Sequence, residues 1–166
     1  MGLGVATLWD LRSTPQWMGS LHLERRFGAR LAVQASVAGL GSSLTIPAPD
    51  TSASIERERG SLGVAWAFWS GARVYVSLVA GLGAERLRAT GHTSDRTRPT
   101  WAATAWLPIG LAGVSATARL AAHWSVTAQV EEEWAWSKVN LMIGEGRTQP
   151  LARPGTLCEI SIQASF

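Results

Sequence analysis

From Cys158 to the last residue the chain alternates without exception. Cys158, Ile160, Ile162, Ala164 and Phe166 are apolar or soft, and Glu159, Ser161, Gln163 and Ser165 between them are polar. A helix repeats every 3.6 residues and cannot hold that pattern, whereas a strand sends successive side chains to opposite faces. The same period recurs upstream. Trp124, Val126, Ala128, Val130, Trp134 and Trp136 share one parity and Ser125, Thr127, Gln129, Glu131 and Glu133 the other, with Glu132 the single breach. Val74, Val76, Leu78, Ala80, Leu82 and Ala84 alternate with Tyr75, Ser77, Val79, Gly81, Gly83 and Glu85.

Followed along the chain, this period predicts strands over residues 3–10, 16–25, 29–39, 61–69, 73–88, 100–118, 123–137 and 156–166. Pro108 predicts a bulge or bend in the sixth. The connections alternate in length. Short ones lie around Gly28, at Ser70–Ala72 and at Arg119–Ala122, while Leu11–Pro15, Leu40–Gly60, Ala89–Pro99 and Lys138–Gly155 read as solvated loops. An even number of strands of about 9–11 residues, with short turns at one end and long loops at the other, is the layout of an outer-membrane β-barrel. The expectation is a single all-β domain over residues 1–166: an eight-stranded antiparallel up-and-down transmembrane barrel, its interior filled by side chains rather than open as a pore. Pro99–Ala118 holds 20 uncharged residues, enough to span a bilayer as a helix, but its Thr, Ser, Gly and Pro content and strand-like neighbours favour a strand.

Alternating apolar residues can line a soluble barrel or face lipid, and the opposite parity decides between the two. Here it is Gly, Ala, Ser, Thr and Gln with occasional Glu, His and Arg. Only 16% of the chain is charged, against roughly 25% for soluble domains. A soluble barrel would present that parity to water and carry more charge. A narrow membrane barrel packs it inside, where small hydrogen-bonding side chains fit. A soluble barrel carrying a hydrophobic ligand is the competing reading, and which parity faces the barrel axis separates the two. Of 13 aromatic residues, nine are Trp. Trp9, Trp17, Trp66, Trp101, Trp124, Trp134 and Trp136 are assigned to the apolar parity near strand ends, where an indole buries its ring and offers its N–H to the interface. Trp69 and Trp106 are read as core-filling.

The closing strand, with Phe166 at the carboxy terminus and apolar residues at every second position back to Cys158, resembles the C-terminal assembly signature of bacterial outer-membrane barrels. The resemblance implies that the barrel-insertion machinery reads this strand. The stretches Gly81–Gly91 and Trp101–Leu111 are similar to small barrel proteins of GC-rich myxobacteria, a resemblance that carries no activity. Residues 1–30 lack a secretory leader's charged-then-apolar pattern, implying a removed leader or a start inside a longer gene.

The chemistry-bearing residues point to no cofactor and no metal. Cys158 is the single cysteine, which excludes an internal disulfide and a cysteine-based zinc site. His22, His92 and His123 lie on separate segments without a carboxylate at ligand spacing. His92-Thr93-Ser94 and His123-Trp124-Ser125 place an imidazole near a hydroxyl, as in eight-stranded lipid A deacylases, which makes a lipid A-modifying enzyme the catalytic alternative. His92 lies in a loop sequence whose next strand, Thr100–Ala118, contains no acid, and His123 lies at the opposite, short-turn end, away from where that family works. Glu85, Glu131, Glu133 and Glu159 form an inward polar cluster that must pair with Arg, hold a cation or take up protons. The predicted answer is an Arg–Glu network plugging the barrel. Arg57, Arg59, Arg86, Arg88, Arg96, Arg98, Arg147 and Arg153 are placed on the outer rim, where guanidinium groups bind lipopolysaccharide phosphates or simply meet solvent. The arginines line no single face and interleave with no aromatic motif, so the net charge of +3 does not point to nucleic acid. The expected partners are outer-membrane lipid and lipopolysaccharide, with the barrel a monomer.

Overall fold

The computed structural model describes residues 1–9, 15–39, 41, 43–47, 51–93, 101–137, 139–143, 147–150 and 155–164. Its strands are β1 (Gly2–Trp9), β2 (Gln16–Phe27), β3 (Leu31–Gly39), β4 (Leu44–Pro47), β5 (Thr51–Ser70), β6 (Val74–Thr93), β7 (Trp101–Arg119), β8 (Trp124–Ala135), β9 (Asn140–Ile143), β10 (Arg147–Pro150) and β11 (Gly155–Ala164). Eight of them form the wall. Each of β1, β2, β3, β5, β6, β7, β8 and β11 pairs antiparallel with its neighbour, and the β3–β5 and β1–β11 pairings close the sheet on itself. Short β4 continues the β3 wall against the upper part of β5, and β9 and β10 form a separate hairpin.

Three short turns join the strands at one end. Gly28 opens the β2–β3 turn with a φ of 72°, a left-handed conformation that favours glycine. The β5–β6 turn is closed by Gly71 N–H donating to Val74 C=O at 2.8 Å, and the β7–β8 turn by Leu120 N–H donating to Trp124 C=O at 2.9 Å. The amino group of Met1 donates to Ala164 C=O at this same end. The wall is strongly staggered. A row of paired residues leaving β5 at Arg59 runs through Ala38, Ser20, Gly4, Ser161, Thr127, Thr117 and Tyr75. It returns to β5 at Ser70, close to the β5–β6 turn. That stagger tilts the strands and fixes a bore that side chains can fill. Such curvature brings strands close together on the concave side. At the Gly63↔Gly81 pair an added Cβ would stand 2.8 and 2.7 Å from the carbonyl oxygens of Ala80 and Leu62, so only glycine fits there.

The two parities separate as a lipid-facing barrel requires. Leu3, Val37, Leu62 and Ile160 are 61–69% exposed on the outside, while Ser77, Thr127, Gln129, Glu131 and Ser161 are buried within. Val76 and Val126 are half-buried but share the parity of exposed Leu78 and Val130, so they point outward and the soluble-carrier arrangement is inverted. This is the reverse of a water-soluble globule and a match to a hydrocarbon surround. No helix among the described residues is long and apolar enough to cross a membrane, and the uncharged stretch over 99–118 is strand β7.

Two strand boundaries and the effect of one proline differ from the sequence expectation. The fourth wall strand begins at Thr51 rather than 61, so much of the supposed loop Leu40–Gly60 is strand. The fifth runs on to Thr93 rather than ending at 88. Both extensions carry charges outward, Glu56 and Glu58 opposite Arg88 and Arg86, which blurs the apolar alternation that marks the lower strands. Pro108 neither bends nor bulges β7. It lies opposite Ala84 in an unbroken register, and its carbonyl accepts from Trp136 N–H at 3.1 Å. Its missing N–H therefore points to the β8 side, where β8 pairing has ended, and costs no ladder bond to β6.

Ile160→Arg places a cation on the lipid face of β11. It is expected to destabilise the barrel by about 2–4 kcal/mol in urea titrations in lipid vesicles, with much less effect from Ile160→Val. Equal stability of the two variants would contradict a lipid-facing β11.

Candidate functional site

The lumen is built from residues that alternate inward on strands whose other face must be apolar, so its polar side chains meet only one another. Arg59, 5% exposed on β5, reaches across the bore to β8, where its two terminal nitrogens meet different carboxylates. Nη1 lies 2.8 Å from Glu133 Oε2, and Nη2 lies 3.0 Å from Glu131 Oε2. Gln129 Nε2 donates to the other oxygen of Glu131 at 2.8 Å. One turn of the pleat higher, Arg57 Nη1 donates to Glu85 Oε1 at 3.3 Å. A planar guanidinium can bridge two carboxylates in this way, and a Lys ammonium would satisfy them less well.

Above this network the lumen turns apolar. Ala53, Ile55, Leu87, Ala89 and Leu107 form a buried cluster on the inner faces of β5, β6 and β7, with Leu44, Ile46 and Val139 packed against it. Below it, hydroxyl pairs fill the bore: Thr117 with Thr127 at 2.8 Å, and Ser36 with Ser61 at 2.7 Å. Near the short-turn end Arg26 Nε donates to Glu24 at 2.8 Å and the Arg26 guanidinium stacks 3.5 Å over Tyr75. A cavity of about 410 Å³ opens there, lined among others by Glu24, Arg26, Tyr75, Arg119 and Gln163.

Arg57 and Arg59 were expected on the outer rim, and the structure places both in the lumen. The error follows from the boundary of β5: inside a loop they read as solvated, whereas on a strand their odd parity turns them inward. Glu85, Glu131 and Glu133 each meet one of these two arginines. Glu159 does not join them. It faces Gln129 in the β8–β11 register and accepts a 2.8 Å bond from Ser20 Oγ. Among the described residues no group of His, Cys, Asp and Glu could hold a metal ion.

On the outer surface, Arg86 Nη1 lies 2.9 Å from Glu58 Oε2, with Arg88 and Glu56 beside them at 3.9 Å. These arginines are on strand faces rather than in loops, and each already has a carboxylate partner. Arg96, Arg98 and Arg153 lie outside the described residues, as does the side chain of Arg147. Trp17, Trp66, Trp124, Trp134 and Trp136 are 44–66% exposed on the outward parity. Trp66 and Trp124 stand towards the short-turn end, and Trp17, Trp134 and Trp136 towards the other. Trp101 is a correction: it shares the inward parity of Leu107 and Ile109, and its indole lies over Gly91 where a Cβ would collide with it. Trp69 and Trp106 are corrections in the other direction. Both point outward, 52% and 67% exposed, because the register moves by one residue at the Ala67/Trp69 bulge and because even positions of β7 face out. Trp106 sits beside Arg86, whose guanidinium is 6.0 Å from its ring. The side chain of Trp9 and all of Phe166 lie outside the described residues.

Of the two His-x-Ser pairs, only His123–Ser125 falls wholly within the described residues. Ser94 and the side chain of His92 are outside the described residues, and His123 sits in the β7–β8 turn at the short-turn end.

No protein-family model matches the chain, and no curated protein matches it in sequence. Solved structures do match in fold. The attachment invasion locus protein Ail of Yersinia pestis, in complex with the heparin analogue sucrose octasulfate, superposes with a TM-score of 0.64 at 12% identity, over 99% of this chain and 95% of that one. A major outer membrane protein from Thermus thermophilus gives 0.64 at 11% identity, over 99% and 98%. The N-terminal β-barrel domain of Pseudomonas aeruginosa OprF gives 0.56 at 10%, over 99% and 96%. The chain has the fold of a bacterial outer-membrane β-barrel.

Arg59→Ala leaves Glu131 and Glu133 facing each other without their cation and is expected to cost about 3–5 kcal/mol of stability. Replacing Arg59, Glu131 and Glu133 together by apolar residues of similar volume is expected to recover most of that loss. Urea unfolding followed by Trp fluorescence measures both.

Proposed function

We propose that this chain is an outer-membrane β-barrel without an open pore, serving a structural or surface-interaction role. The observation that carries the reading is Arg59 spanning the bore between Glu131 and Glu133 beneath the apolar cluster of Ile55, Leu87 and Leu107. A conducting barrel needs a hydrated path, and here charged and apolar layers occupy it in succession. The apolar exterior, the short turns at one end and the fold of the Yersinia, Thermus and Pseudomonas barrels support the same location.

In this reading the Trp residues at both strand ends anchor the barrel at the two interfaces of the bilayer. The short turns face the periplasm, and the long connections with the upper parts of β5, β6 and β7 stand on the cell exterior. Lipopolysaccharide is the surrounding lipid on that side, with Arg86 and Arg88 at its phosphate level. The barrel-insertion machinery recognises the C-terminal strand ending in Phe166, and the protein acts as a monomer. Kinship with the small myxobacterial barrels, carried by Gly81–Gly91 and Trp101–Leu111, belongs to the same proposal.

Refolded protein in planar lipid bilayers tests the central point. It is expected to give no stepwise conductance while showing heat-modifiable migration on gels, the mark of a folded barrel. Regular channel openings from the folded form would overturn the sealed-lumen reading, and solubility without detergent would overturn the membrane location.

A further inference from the structure

Among the described residues the short-turn end carries five arginines, Arg25, Arg26, Arg30, Arg73 and Arg119, against a single side-chain carboxylate, Glu24. Arg26 takes that carboxylate at 2.8 Å. No described carboxylate forms an ion pair with any of the other four. Further along the strands the pattern is the opposite, and Arg57, Arg59, Arg86 and Arg88 each meet a glutamate. The excess positive charge of the short-turn end is thus left for something outside the fold.

The three turns set these guanidinium groups around one rim. Arg30 stands in the β2–β3 turn, where its carbonyl accepts from Ala67 N–H at 2.7 Å and ties that turn to β5. Arg73 stands in the β5–β6 turn, and its carbonyl accepts from Arg119 N–H at 2.7 Å, which ties that turn to the end of β7. Arg25 is on the outer wall itself. It shares the outward parity of Leu23 and Phe27, 47% and 51% exposed, and its guanidinium lies 5.6 Å from the centre of the Phe27 ring. A cation with apolar neighbours on either side along the strand is matched by an amphiphile, with hydrocarbon against Leu23 and Phe27 and an anion at the height of Arg25. An acidic polypeptide or a soluble polyanion answers the charge and leaves the apolar half of that surface unanswered.

We propose that the short-turn rim selects anionic phospholipid in the leaflet beside it, with Arg25, Arg30 and Arg73 holding the lipid phosphates. The inference rests on the reading of the chain as a membrane barrel and adds the lipid class that this rim prefers. A guanidinium gives a phosphate two parallel N–H donors. A choline headgroup brings its own cation and offsets the attraction, whereas a glycerol headgroup leaves the phosphate charge whole. Each basic side chain near a membrane surface raises the local preference for anionic lipid about fivefold. Arg119 lines the cavity at this end beside Arg26 and Tyr75, and it adds to the positive potential from inside the rim.

The test reconstitutes the refolded barrel in mixed bilayers of phosphatidylcholine and phosphatidylglycerol and reads quenching of Trp fluorescence by acyl-brominated copies of either lipid. Phosphatidylglycerol is expected to displace phosphatidylcholine from the protein with a relative association constant of about three or more. Arg25→Gln, Arg30→Gln and Arg73→Gln combined are expected to bring that constant to about one. Arg25→Gln alone is the milder variant and is expected to remove about a third or more of the excess. Lys at the same three positions keeps the charge without the paired donors and is expected to retain about half of the excess or more. Incorporation into the bilayer and heat-modifiable migration, checked on every variant, separate a lost lipid preference from a lost barrel. A parent that stays outside the bilayer fails the membrane reading itself. The proposal is overturned if the incorporated parent shows no preference between the two lipids, or if the Gln variants keep the parent's preference. It is also overturned if millimolar glycerophosphoglycerol, the headgroup without its chains, abolishes the preference, since the rim would then serve a soluble phosphate ester.

Discussion

Every backbone N–H and C=O that crosses hydrocarbon must find a partner within the protein, and the rest of this structure follows from that demand. A sheet meets it only by closing, which the β3–β5 and β1–β11 ladders accomplish. Closure at eight strands with this stagger sets a narrow bore. The narrow bore in turn leaves room for side chains and little else, which explains the glycine pair at Gly63 and Gly81 as well as the Ser, Thr and Gln that fill the lower lumen. The same demand lapses outside the hydrocarbon. There β5, β6 and β7 outlast their neighbours, and above Pro108 no described residue pairs with β7 on the side away from β6.

The lumen solves a second problem that closure creates. Side chains turned away from lipid are also turned away from bulk water, so a charge placed there must be matched by another placed there. Arg57 and Arg59 against Glu85, Glu131 and Glu133 are that match, and the Arg59 contacts join β5 to β8, which no backbone ladder joins. Buried ion pairs are weak stabilisers when measured against apolar replacements. Their contribution here is to hold opposite walls at one spacing and to fill the bore, with the apolar cluster above them extending the seal.

How far these features were legible in the sequence depended on how local their cause is. Strict alternation at Cys158–Ala164, Trp124–Trp136 and Val74–Ala84 identified strands and faces, because a pleat repeats every two residues whatever its neighbours do. The first ten residues of β5 and the last five of β6 escaped because their outer face carries polar and charged residues where it meets water and the inner face of β5 mixes Arg57 and Arg59 with Ala53 and Ile55. Arg57 and Arg59 were misplaced along with them. Opposed charges at Glu56, Glu58, Arg86 and Arg88 were the available signal, since a hairpin centred on the Gly71 turn brings them into register. Trp69 and Trp106 were misassigned for different reasons. The first follows a bulge that no composition reveals. The second stands on a strand whose parity is masked by Ala, Gly and Pro at its outward positions.

Taken alone, the amino-acid sequence determined that this chain forms eight antiparallel strands with an apolar outside, because hydrophobic period and turn spacing are properties of neighbouring residues. Only the tertiary structure decided which carboxylate meets which guanidinium. Arg59 and Glu133 lie 74 residues apart, and their meeting depends on a register set jointly by every ladder around the barrel. The point where the β7–β8 ladder ends was likewise invisible beforehand, since the length of a ladder depends on both of its strands.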